Sequence, residues 1–139
     1  MASAPEYHKR FTTWTISSSP RSLLVSFELA LKMAQSENPD IIFGTDPDCD
    51  RIGVVVKDSQ GEYKVLTGNQ TGLLLTHYVL SSLKETNKLP NNGVVIKTIV
   101  TTEGARAIAK DFDVELMDVL TGFKYIGEKI REFEDAGNK

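Results

Sequence analysis

Asp40-Ile41-Ile42-Phe43-Gly44-Thr45-Asp46-Pro47-Asp48-Cys49-Asp50-Arg51-Ile52-Gly53 is the stretch from which the rest of the chain can be read. Ile41-Ile42-Phe43 is a short apolar run of buried-strand type. Three aspartates follow it at alternate positions, Asp46, Asp48 and Asp50, and then Arg51. The loops after strand C-terminal ends are where α/β sheets bind ligands. If this loop curls, all three carboxylates point at one centre. Like charges so close raise one another's pKa values unless a cation neutralises them. Hard oxygen donors with open positions suit Mg²⁺, which commonly also binds a substrate phosphate. Arg51 adds a planar fork suited to phosphate oxygens.

Outward from the loop, strand and helix signals alternate. Ser19-Pro20 reads as an N-cap with proline at the first helical position. Leu23, Leu24, Phe27, Leu31 and Ala34 then recur at helical spacing to about Gln35, where Asn38-Pro39 stops the helix. Ile52–Val56 and Tyr63–Leu66 flank a Lys57–Gly61 turn and read as a hairpin. Thr67-Gly68-Asn69 opens a long helix with Leu73, Leu74, Tyr78, Val79 and Leu83 on one side. The polar Asn87–Gly93 segment, which contains Pro90, reads as a linker. Beyond it, Val94–Ile96 and Val114–Met117 are strands. Thr101 or Thr102 is placed to cap a helix through Lys110, and Thr121 to cap a last helix carrying Phe123, Ile126, Ile130 and Phe133. Residues 1–19 show no sustained period and read as irregular, with an extended piece at Phe11–Ile16. The alternation defines an α/β fold with a largely covered sheet. The strands of Ile41–Leu66 and of Val94–Met117 are expected in two separately packed units.

Composition narrows the function classes. The 139 residues are 40% apolar and 25% charged, as in an ordinary globular chain. A net charge of −3 excludes a strongly basic nucleic-acid binder and gives no polybasic membrane patch. No apolar run reaches the roughly 18 residues of a membrane span. The lone Cys49 cannot pair internally, which makes a reducing, cytoplasmic setting the expectation. Cys49 lies between loop aspartates whose charge disfavours a thiolate, so it is no candidate nucleophile. His8 and His77 are far apart, and His77 has no second ligand at four-residue spacing.

The acidic loop admits several readings. A solvated acidic turn is the plainest. A calcium EF-hand is rejected, because Arg51 stands at its sixth position and Lys57 at its twelfth. A haloacid-dehalogenase-type phosphatase, with Asp46 as nucleophile, is an alternative. With its flanks, however, the loop resembles the metal-binding loop of the α-D-phosphohexomutase family. Leu66-Thr67-Gly68-Asn69-Gln70-Thr71-Gly72 resembles that family's strand-to-helix turn into its third domain. Thr121-Gly122-Phe123-Lys124-Tyr125-Ile126-Gly127 resembles its sugar-phosphate-contacting loop.

The resemblance implies three-layer α/β/α architecture with mixed sheets in two partial phosphohexomutase-type domains. Residues 20–66 would be the second half of domain two with the metal loop, and residues 67–139 most of domain three. Asp46, Asp48 and Asp50 would bind Mg²⁺, and Arg51 would lie against the catalytic phosphoserine. Thr121, Gly122, Lys124 and Lys97 would meet a hexose phosphate. The family moves phosphate between the 6- and 1-hydroxyls through a bisphosphate intermediate. Its Thr-x-Ser-His-Asn-Pro nucleophile loop and Gly-Glu-x-Ser sugar loop have no counterpart here. The chain is therefore expected to be part of a longer isomerase, inactive alone and prone to self-association. A non-catalytic α/β metal-binding module is the remaining alternative.

Overall fold

The computed structural model describes residues 11–15, 23–46 and 49–137, with side chains from residue 27 onward. The chain divides into two compact units, residues 1–68 and 69–139. In the first, β1 (Phe11–Thr15), α1 (Leu23–Glu37), β2 (Ile41–Thr45), β3 (Ile52–Lys57) and β4 (Tyr63–Leu66) follow one another. They build a mixed four-stranded sheet in the order β1-β2-β3-β4. β1 and β2 are parallel, and the remaining pairs are antiparallel. Parallel neighbours need a crossover, and α1 supplies it. The extended piece expected near Phe11 is thus a sheet strand, and the remainder of residues 1–19 lies outside the described residues. The Ser19-Pro20 cap lies outside the described residues.

Phe27, Ala30 and Ala34 of α1 pack on Ile42 of β2 and Val55 of β3, with Leu31, Tyr63 and Val65 against them. The 27/30/34 spacing puts these α1 residues on one helix face. Asn38 ends α1 in the left-handed region, with φ 50°, and its amide donates to the Ala34 carbonyl at 2.9 Å. Beside it, the Tyr63 hydroxyl donates to the Pro39 carbonyl at 2.9 Å. The loop from residue 46 to residue 51 joins two antiparallel neighbours in register, Thr45 facing Ile52. It therefore sits at the C-terminal end of β2 as a hairpin connection.

The second unit contains most of α2 (Gly68–Glu85), then β5 (Val94–Thr98), α3 (Gly104–Asp111), β6 (Glu115–Val119) and α4 (Phe123–Asp135). β5 and β6 pair in parallel across the α3 crossover. Ala105 and Ala109 of α3, Leu80 of α2, and Val114 and Val119 are buried. The inward stripe of α2 runs through Leu73, Thr76, Leu80 and Leu83, so Leu73 and Leu83 lie on the face read from periodicity and the other three residues of that face do not. Leu74, Tyr78 and Val79 are at least half exposed. A two-stranded sheet offers a narrow surface, so it buries only one line of α2. Above that line an apolar groove of about 430 Å³ opens between Leu75, Val79, Leu83, Leu89 and Val95. α4 buries no residue, and Phe123 is 79% exposed despite its place in the apolar period. Among the described residues, no helix is long and apolar enough to cross a membrane.

Candidate functional site

The sequence-predicted residues fall into two groups, one on each unit. In the first, Asp46 leaves the end of β2 and closes its own loop. Its Oδ1 accepts the Arg51 amide at 3.2 Å, and its Oδ2 accepts Arg51 Nε at 2.6 Å. The Cys49 amide donates to the Asp46 carbonyl at 3.0 Å, and Cys49 turns the chain with a positive φ of 58°. Arg51 also lies 3.4 Å from Asp50 Oδ1. Burial pushes the Asp46 carboxyl up, but hydrogen bonds from the Arg51 amide and guanidinium outweigh it and hold the group below the usual carboxylate range. The Asp46 side chain is 15% exposed, whereas that of Arg51 is 82% exposed. Asp48 lies outside the described residues. Among the described residues, no three potential metal-ligating side chains cluster. Asp46, Asp50 and Arg51 do converge, as an ion-paired loop.

In the second unit, Lys97 sits near the C-terminal end of β5 and is buried. Its ammonium donates to Asp118 Oδ1 at 2.6 Å, to Glu103 Oε1 at 2.9 Å and to the Thr101 carbonyl at 3.1 Å. Arg106 closes the ring. Its Nε meets Glu103 Oε2 at 2.9 Å, and its terminal nitrogen binds Asp118 Oδ2. The hydrogen bond to Asp118, and next that to Glu103, hold the ammonium above its ordinary range. The same bonds from Lys97 pull the carboxyls of Asp118 and Glu103 down. Sequence reasoning found Lys97 but missed Glu103, Arg106 and Asp118. Lys97 and Asp118 are cross-strand partners, a relation that appears only once the register is known.

Thr121, Gly122 and Lys124 follow β6 at the start of α4. Gly122 is the N-cap, with φ 132° and ψ 131°, and no side chain caps the helix. The expected cap by Thr121 is therefore corrected: glycine's reach into positive φ turns the chain instead. The Lys124 ammonium lies 4.8 Å from the Tyr125 ring centre. At the start of α3 the N-cap is Glu103 and no side chain caps it, which corrects the expected cap by Thr101 or Thr102; the Thr102 hydroxyl accepts the Gly104 amide at 3.2 Å from one position earlier.

Fold and site together define an α/β chain with charged loops at the C-terminal ends of its strands. The family model described as phosphoglucomutase/phosphomannomutase, alpha/beta/alpha domain III, matches residues 67–137, and the chain belongs to that family. It is 35% identical over 113 residues to phosphoglucomutase of Staphylococcus aureus, a match covering 81% of this chain and 20% of the relative. With the Staphylococcus epidermidis phosphoglucomutase the identity is 37% over the same length and shares. The chain thus spans about a fifth of the length of these curated relatives. A solved Thermus thermophilus protein assigned as a phosphomannomutase superposes with a TM-score of 0.59 at 20% identity. That match covers 81% of this chain and 24% of the other, and it bears on the fold.

Proposed function

We propose that this chain supplies part of the catalytic region of a phosphohexomutase, which moves phosphate between the 1- and 6-hydroxyls of a hexose phosphate. The observation that carries the proposal is the arginine-clamped acidic loop at the end of β2, in a chain of this family. Asp46, Asp48 and Asp50 would hold Mg²⁺, and their all-carboxylate donor chemistry supports a hard divalent cation. When bound, the cation would supply Lewis acidity toward the transferring phosphoryl group. The guanidinium of Arg51, exposed and charged, would orient phosphate oxygens from the same loop. Arg51 contacts both Asp46 and Asp50, and its hydrogen bonds hold the Asp46 carboxyl below its ordinary range, as an oxygen donor to a cation requires. Thr121, Gly122 and Lys124 would contact the sugar phosphate, with the Lys124 ammonium and the turn at Gly122 offering cation and amide donors. Lys97 would approach the same ligand from the end of β5. The phosphorylated serine would come from outside this chain. A cytoplasmic setting belongs to the same proposal, supported by the free thiol of Cys49.

Calorimetric titration with Mg²⁺ and Mn²⁺ tests the metal assignment. The wild-type chain is expected to bind weakly, and Asp46→Asn to lose that binding. Equal heats for the two proteins would reduce the loop to an acidic turn. A coupled assay on glucose 1-phosphate should show no mutase turnover by this chain alone, since on this reading the phosphate-carrying serine lies outside it. Release of inorganic phosphate that Asp46→Asn abolishes would replace the mutase reading with a phosphatase.

A further inference from the structure

Lys97 is the buried charged side chain of the described core, and all three of its ammonium protons have acceptors. Its two acidic partners are not equivalent. Asp118 is held opposite Lys97 by the β5–β6 register, and its side chain is 31% exposed. Glu103 stands just before α3, off the sheet, with a side chain 67% exposed. Each acid also binds Arg106, so two cations and two anions close a neutral ring.

We propose that Asp118 is a fixed positioning residue for Lys97, and that Glu103 is an exchangeable one, released when the phosphate group of a ligand engages the Lys97 ammonium. The inference rests on the sugar-phosphate reading above and assigns unequal parts to the two acids. A desolvated ammonium cannot be left without acceptors. A phosphate oxygen arriving in place of Glu103 keeps the acceptor count and the charge balance. Removing Asp118 would instead strand the buried charge, or require β6 to shift against β5. Glu103 is the acid that can leave, because its side chain is already 67% exposed and its carboxylate can return to water. Arg106 then stays oriented by Asp118 alone, with the edge that Glu103 held turned free for the same anion.

The test uses the full chain with its lysines labelled by ¹³C and ¹⁵N, following the Lys97 ammonium by NMR. Glucose 1-phosphate is titrated in one series and inorganic phosphate in another. In the wild type, both probes should shift the Lys97 signal. Glu103→Gln should tighten binding about two- to fivefold, the size of the attraction a largely solvated carboxylate exerts on its partners. Asp118→Asn should weaken binding about tenfold or more, the size of one charge-assisted hydrogen bond, and broaden the Lys97 signal through faster exchange with water. Asp118→Glu should restore part of that signal. Glu115→Gln, at an exposed acid that begins β6, controls for net charge and should leave the affinity unchanged. Backbone amide spectra report whether each variant folds, and Glu103→Gln decides the exchange even if Asp118→Asn does not. Weaker binding by Glu103→Gln, or an equal gain from Glu115→Gln, would overturn the proposal. A ligand shift at Lys124 with Lys97 unmoved would also overturn it, while leaving the sugar-phosphate reading in place. No shift anywhere in the chain with either probe would remove both.

Discussion

Phe27 and Val55 have no exposed surface and belong to the same buried cluster of the first unit. Phe27→Ala should cost about 3–5 kcal/mol, because it removes a large ring and leaves a cavity that α1 and the sheet can fill only in part. Urea denaturation of the two proteins measures this. A loss below about 1 kcal/mol would mean that the site collapses around the smaller side chain. Core residues of this kind are legible from local pattern, since Phe27 and Ala34 stand at helical spacing and Ile42 in an apolar run. The clamp of Arg51 on Asp46 is only half legible. Their closeness in sequence shows that they share a loop, but not that the Asp46 carboxylate turns back to accept both the amide and the guanidinium of Arg51.

At the scale of elements, the turn into α4 depends on one residue. Gly122 adopts φ 132° and ψ 131°, a conformation that residues with a Cβ rarely enter. Gly122→Ala should therefore lower stability by about 1–3 kcal/mol, the size of such a backbone strain, although the added methyl meets only Tyr125. The loss should concentrate in faster amide exchange of residues 123–127. Unchanged exchange there would show that the turn relaxes at no cost. The helix itself is readable from its spacing, but its start is not. Threonine before glycine is a common capping signal, whereas here the backbone makes the turn and Thr121 caps nothing. α2 gives the complementary lesson. Its length follows from sequence, yet its buried line does not, because Leu and Val stand on both sides of it and the narrow β5–β6 sheet chooses between them.

Across the second unit, four ionised groups tie α3 to the ends of both strands, which makes the unit's stability depend on pH at two limits. Asp118 and Glu103 are held below their ordinary values of 3.8 and 4.5. Their contribution is complete above those ordinary values and is lost as pH falls through the lower, folded ones. Lys97 is held above its ordinary 10.5, so its contribution is complete below that value and is lost as pH rises through the folded one. Denaturant melts of the chain should give a plateau from about pH 5 to about pH 10, with a fall on either side. Asp118→Asn should shrink the acid limb. An acid limb of unchanged depth in that variant would show that the network contributes nothing to stability.

Local pattern is enough for the α/β class, the positions of most strands and helices, the acidic loop with its arginine, and the family that the loop resembles. These follow from local causes: apolar period, turn residues, and charges crowded within a few positions. Contacts between distant elements settle what local pattern cannot carry. They made the segment at Phe11 a strand by setting it beside β2, left Leu74, Tyr78 and Val79 of the expected α2 face exposed, and left Phe123 in solvent. They also joined Lys97 to Asp118, 21 positions away in the chain. That pairing depends on the parallel register of β5 and β6, and a register exists only after two strands have met.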